Sequence, residues 1–344
     1  MTADPGRRRF LLGAAAALPV AAAGLAPRPA AARPRAPAAI EVMARPIASF
    51  DPRDPSHVRY GALEFRSGVI LTSSFRGFGG LSGLRLDAAG ERFIAISDKG
   101  DWFTGRLVYR GRQLAGLADV VAAPMLDADG SRITARGWFD TEALALDGAI
   151  AYVGLERVNH ILRFDFGRDG VNARGAVVPV PPEFGKLPFN RGIESLLVVP
   201  KGRQLAGTLI AISEAALDAA GNIRGFLIGG PSPGGFTVHR TGNYDISDMA
   251  LLPSGDILLL ERKFSILAGA GIRIRRIPLA AVAPAAVLDG PAIFEADLGY
   301  EIDNMEGLNV HVTPDGDTVL TMVSDDNFSL IQRTLLLQFT LVGE

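Results

Sequence analysis

Cysteine is absent from this 344-residue chain. No disulfide framework can hold the fold, no thiolate can bind zinc, and no cysteine can act as a nucleophile. Stability has to come from a packed core. Histidine is scarce as well, with only His57, His160, His239 and His311. No nucleophile elbow is expected, because the one G-x-S-x-G match, Gly230-Pro231-Ser232-Pro233-Gly234, flanks its serine with prolines that bar a strand-to-helix turn. Gly80-Leu81-Ser82-Gly83 is one residue too tight, and that motif needs a strand-to-helix turn in a chain with no sustained helical period. Basic charge is also lacking. Beyond residue 39 the chain keeps 29 basic and 36 acidic residues, a net charge near −7 against −2 for the whole. A nucleic-acid partner is excluded by that balance and by the lack of a basic stripe, and cation binding is favoured.

The N-terminus has its own character. Arg7-Arg8-Arg9-Phe10-Leu11 precedes an Ala/Leu/Gly stretch over residues 12–26, and Ala30 and Ala32 offer an A-x-A cleavage site. Basic, apolar, then small is the order of an export signal. The arginine pair resembles a twin-arginine signal, with Gly6 where Ser or Thr is usual and no Lys after Leu11. Residues 1–32 are therefore read as the export signal, which contacts the twin-arginine machinery transiently. Residues 33–39 are read as an Ala/Pro/Arg linker and 40–344 as one domain, periplasmic or secreted. The apolar stretch is short for a permanent span, and no other segment is long enough to cross a membrane.

What is present is a phrase repeated five times. It reads GGLSGLRL around Ser82, FDTEALAL around Glu142, RGIESLLV around Glu194, DISDMALL around Asp248 and DNMEGLNV around Glu306. The intervals are 60, 52, 54 and 58 residues, close to the roughly 40–50 residues of known blade repeats. Each phrase runs into turn chemistry such as Asp147-Gly148 or Pro253-Ser254-Gly255-Asp256, and then into a second apolar run. The second runs end in Asp98, Glu156, Glu214, Glu261 and Asp325. The pattern predicts an all-β protein, a β-propeller of five or six blades. The last repeat has room for about three strands, so a strand from residues 40–74 is expected to complete its blade and protect the open edge.

In an antiparallel hairpin the start of the first strand lies beside the end of the second. If the first strand of each blade is innermost, up to nine carboxylates and Ser82 converge on one mouth. Such a set needs raised pKa values, paired arginines or a metal ion. Arg157, Arg191 and Arg262 are the arginines at hand and, with Asn327, the candidates to bind substrate. Oxygen donors without cysteine favour Ca²⁺, with Glu142, Glu194, Glu306, Asp325 and Asp98 as candidate ligands. Glu194, Glu306 and His160, which sits in the loop after Glu156, are the candidate catalytic groups. Asp325-Asp326-Asn327 reads either as an ion-binding turn or as an Asx-turn. With Asp303, Asn304 and Glu306 in the same repeat, the last blade is expected to be the densest part of the site.

Several stretches together resemble the phytase-like family, labelled for "esterase-like activity of phytase". They are GGLSGL, FIAISDKG, DTEALAL, LERVNHILRFD, NRGIESL, SDMALLPSGDILLLER, DNMEGLNV, VSDDNFS and QRTLLLQF, in that order from about Phe78 to Phe339. The resemblance implies an exported β-propeller acting on a small-molecule ester or phosphoester. Bacterial β-propeller phytases bind phytate through bridging Ca²⁺ in an acidic mouth, and this chain shares the acidic character. Metal-activated water is the hydrolytic route that needs no serine triad. A Ca²⁺-dependent lactonase-like propeller and a non-catalytic binding propeller remain alternatives.

Overall fold

The computed structural model describes residues 36–265 and 269–343. The expected export signal and the first residues of the linker lie outside the described residues. Five antiparallel sheets follow one another along the chain. From the inside outward, the first blade comprises Leu81–Leu86, Arg92–Ser97, Asp101–Arg110 and Gln113–Pro124. The second comprises Thr141–Asp147, Ile150–Leu155, His160–Asp165 and Ala176–Val177. Ile193–Val198, Leu209–Leu217, Ile223–Ile228 and Gly234–Val238 form the third. The fourth is Asp245–Leu251, Asp256–Ser265, Gly269–Pro278 and Ala292–Asp297. Each innermost strand packs against the next, and the fifth meets the first, so the ring is closed with five blades.

Closure is made by the two ends of the chain. The fifth blade takes Asn304–Val312, Thr318–Asp325 and Thr334–Leu341 from the C-terminal end, then Leu63–Ser73 and Val42–Ile47 from the N-terminal end. Leu335 pairs with Ile70 and Leu337 with Gly68, which is the completing strand expected from residues 40–74. Two outer edges carry short additions. Ala38–Ala39, read as linker, pairs with Gln113–Pro124. Val287–Leu288 leaves the fourth blade to pair in parallel with Gly234–Val238 of the third, covering an edge that would otherwise be open.

The core consists of five apolar layers, one between each pair of neighbouring blades. Between the first two blades, Trp102 lies fully buried with Ile96, Leu144 and Val153, its ring edge-on to Phe164 at 5.1 Å. Each such large side chain contributes on the order of 1.5–3 kcal/mol by leaving water. Summed around the ring, these layers replace the disulfides the chain cannot form.

One irregularity recurs in all five blades. Where the innermost strand meets the second, the register slips by one residue, bypassing Ser82, Glu142, Glu194, Ser247 and Glu306 in turn. Such a β-bulge leaves one side chain out of the ladder and re-aims it. In the fourth blade the bulged residue is therefore Ser247, and Asp248, the anchor expected from the repeat, is displaced by one. Asp248 turns into the channel, is 2% exposed, and meets Arg85 of the first blade at 2.7 and 2.8 Å. The Arg85 guanidinium also donates to the carbonyls of Leu308 and Leu196. The pair therefore ties four blades together on the axis.

Candidate functional site

Above this pair the mouth opens into a cavity of about 850 Å³. Two tiers of side chains build it. The bulged positions supply Glu142, Glu194 and Glu306. Ser82 shares the inner tier but donates its hydroxyl to the Thr141 carbonyl at 2.6 Å, tying the first blade to the second. The ends of the second strands supply Asp98, Glu156, Glu214, Arg262 and Asp325. The sequence pointed to Glu261 in the fourth blade. Strand pairing sets Glu261 opposite Ile246 and Arg262 opposite Asp245, so Arg262 holds the equivalent place. Glu261 is fully buried elsewhere, between Arg273 and Arg275 at 2.6 Å.

Charge in the cavity is lopsided. Among the described lining residues ten are carboxylates, and the cations are Arg262 and Lys263. Some acids are neutralised locally. Asp245 pairs with Arg240 at 2.7 Å, Asp98 with Lys99, and Asp303 accepts from the Arg333 backbone N–H at 3.0 Å. Arg262 does the most. It donates to Glu306 at 2.7 Å, Asn304 at 2.6 Å and Glu214 at 3.0 Å, while Asn304 donates to the same Glu306 oxygen. Burial works against the charge of Arg262, but Glu306, Glu194, Glu214 and Glu142 outweigh it and raise its pKa further.

Seven of the lining carboxyls hold their protons more tightly than usual. Burial raises Glu142 well above its ordinary value, reinforced by Glu306, Asp98 and Asp325, although part of its surface faces the cavity. Glu194 rises for the same first reason, then through Glu142, with Arg262 opposing. Burial and Glu306 push Asp325 up to about 8, against the Asn327 N–H. Glu156 is pushed up to about 7 by burial, against the Gly192 N–H that donates to it at 2.8 Å. Asp98, Glu214 and Glu306 are raised as well, burial first in each case.

Glu156, Glu194 and Glu214 each offer an oxygen within 4.8 Å of the other two. This triad spans the second and third blades, whereas the sequence pointed to the last blade, where Arg262 and Asn304 already engage Glu306. Distances between blades are not written in a repeat, so the tight set was not visible there. Asp98, Glu142, Glu306 and Asp325 surround it as lining residues. Of the arginines, only Arg262 reaches the two tiers. Arg157 stacks on Phe139 at 4.1 Å and lies 3.7 Å from Asp140, and Arg191 is exposed outside the lining. His160 also lies outside the lining, edge-on to Trp138 at 5.3 Å.

The turn after the second strand of the fifth blade serves both of its expected readings. Asp325 faces the cavity and accepts from the Asn327 N–H at 2.6 Å, and Asn327 lines the cavity too. Asp326 is the structural partner, accepting from the N–H groups of Phe328 and Gly80. Gly80 has φ +61°, and a Cβ there would stand 2.3 Å from an Asp98 oxygen. Only glycine lets the chain entering the innermost strand of the first blade pass so close to Asp98.

Residues 76–328 match the family model described as "Phytase-like: Esterase-like activity of phytase". No curated protein sequence matches the chain. Among solved structures, the glutaminyl cyclase of Myxococcus xanthus is 10% identical over 89% of this chain and 97% of its own, with a TM-score of 0.41. The PQQ-bound aldose sugar dehydrogenase of Streptomyces coelicolor is 14% identical over 89% and 99%, with a TM-score of 0.39. At these scores neither likeness bears on the chemistry of the mouth.

Proposed function

Because the chain belongs to the phytase-like family, we propose that it is a metal-assisted ester or phosphoester hydrolase whose mouth holds a divalent cation on Glu156, Glu194 and Glu214. One observation carries this reading. The three oxygens converge within 4.8 Å, and Glu194, only 5% exposed, lines the cavity without accepting a hydrogen bond from any described residue. A buried carboxyl that accepts no hydrogen bond is costly unless it is protonated or coordinates an ion. All-oxygen donors suit Ca²⁺ better than softer metals.

Bound there, the ion would supply Lewis-acid polarisation of the ester oxygen and a more acidic water. The protein's own groups have separable tasks. Glu156 and Glu194, whose burial favours the protonated form, would lose protons to hold the cation beside Glu214, which Arg262 already engages at 3.0 Å, so binding is in competition with protonation. Glu306, fixed by Arg262 and Asn304, keeps a defined orientation beside them. Asp325, with a pKa near 8, holds a proton at neutral pH in the same cavity, the state required to protonate a leaving oxygen. A periplasmic or secreted location belongs to the same proposal and rests on the basic–apolar–small order of residues 7–32.

The test combines stability with turnover. Added Ca²⁺ should raise the melting temperature, and Glu194→Gln should weaken that response while leaving a folded protein. Hydrolysis of p-nitrophenyl phosphate or acyl esters should need the cation. Turnover and stability that ignore both chelator and Glu194→Gln would refute the metal-assisted reading. Activity confined to lactones would favour a lactonase-like enzyme, and cation binding without any turnover a binding propeller.

A further inference from the structure

From the apolar rim of the acidic cavity we infer that the substrate is an amphiphile, with one ester or phosphoester head and an apolar group, not a polyanion of the phytate kind. The inference rests on the hydrolase reading above and adds the class of substrate. Three large apolar side chains line the cavity while standing exposed to solvent: Phe264 at 77%, Leu298 at 58% and Ile331 at 91%. They come from three segments of two neighbouring blades that meet at the mouth. Phe264 lies on the fourth-blade hairpin Asp256–Ser265/Gly269–Pro278, whose pairing continues three residues past Arg262 to Ser265. At about 3.3 Å per residue the hairpin stands roughly 10 Å above the acidic tiers. Leu298, in the loop after the same blade, packs beside it, and a Cβ on Gly269 would lie 2.8 Å from its side chain. Ile331 comes from the turn of the fifth blade next door.

Isolated exposed apolar residues are ordinary, but a group at the lip of a functional cavity marks a surface meant to be covered. The arrangement also fixes which end of the ligand goes where. The inner part is lined by the carboxylates of the two tiers, including the proposed metal-binding triad, so a reacting head belongs there and an apolar group above it. Charge argues against a polyanion. Ten carboxylates face two cations, and one triad can hold one divalent ion, enough to receive a single anionic head. Six phosphates would need several ions or a set of arginines, and neither Arg157 nor Arg191 lines the cavity.

The experiment is a chain-length series with Ca²⁺ present. On p-nitrophenyl esters from acetate to octanoate, and on alkyl phosphates of matching length, kcat/KM should rise about fourfold per methylene covered by the rim. The triple variant Phe264→Ser/Leu298→Ser/Ile331→Ser, whose side chains are exposed and whose melting temperature should not move, should lose at least tenfold of the octanoate-to-acetate ratio. A flat series, or a slope unchanged in the variant, overturns the inference even if the hydrolase reading stands. If nothing is hydrolysed, the hydrolase reading fails and calorimetry with ethylphosphonate and octylphosphonate decides this one. Tighter binding of the longer phosphonate, lost in the variant, supports it. Equal affinities, or no binding of either, overturn it. Binding or turnover of phytate above that of any amphiphile would do the same.

Discussion

Raising the pH in the presence of a chelator should destabilise this propeller over a range in which most proteins change little. Glu156 is pushed from 4.5 up to about 7 in the folded state. Between those values the folded chain holds a proton that the unfolded chain has released, so unfolding releases it. The stabilisation is complete below about pH 4.5 and is lost as the pH rises through 7. A displacement of about 2.5 units, at about 1.36 kcal/mol each, makes this group alone responsible for about 3 kcal/mol. For a domain of this size that is a fall in Tm of about 5 °C between pH 5 and pH 8. Asp325, raised to about 8, extends the same slope to higher pH. A divalent cation at about a hundred times its Kd should restore about 2.7 kcal/mol at pH 8, and much less at pH 5, where protons compete for the same oxygens. The assay is differential scanning calorimetry across pH with EDTA or Ca²⁺, on the native sequence and on Glu156→Gln. A Tm that stays flat from pH 5 to 8 in EDTA, or an equal slope in Glu156→Gln, would refute the reasoning.

Other consequences can be tested separately. Arg262→Met strands Glu214 and Glu306 without their shared cation and should cost about 3 kcal/mol at pH 8, the low end for a broken buried pair because the guanidinium is partly exposed. The loss should shrink at pH 5, where the stranded carboxyls are protonated, and an equal Tm loss at both values would exclude the pairing as its cause. Deleting residues 36–73 removes the strand that pairs with Thr334–Leu341 and should leave no soluble folded protein; an unchanged melting transition after the deletion would rule out its closing role. Replacing Arg7 and Arg8 together with Lys should leave an uncleaved precursor in the cytoplasm, visible on a fractionated immunoblot, and normal periplasmic appearance would count against a twin-arginine signal.

Most of the architecture was legible because apolar phase survives where polar identity drifts. Leu84, Leu144, Leu196, Met249 and Leu308 each follow the bulged position by two residues. That phase alone places Ser247, not Asp248, at the mouth. Matching acid to acid hid it, because in the fourth repeat the acid has moved one place along to meet Arg85. The same slip turned Arg262, the arginine that neutralises the ring, into a mere neighbour of Glu261. The completing N-terminal strand was legible from a shortfall in the last repeat. The Glu156–Glu194–Glu214 convergence was not, since it depends on how closely the second and third blades approach. Nor was the apolar rim, because Phe264, Leu298 and Ile331 belong to loops and hairpin tips outside the repeat.

The way the ring closes also sets a clock. Leu63–Ser73 cannot find its partner until Thr334–Leu341 has been made, some 260 residues later. At roughly 5–20 residues per second that is a wait of about 10–50 s. During it Val69, Ile70 and Leu71, all buried in the finished blade, stand on a strand with an unpaired edge. A synthesis interrupted before Thr334 yields four blades and an open seam, a product that proteases and chaperones can tell from the finished protein by its exposed strand alone.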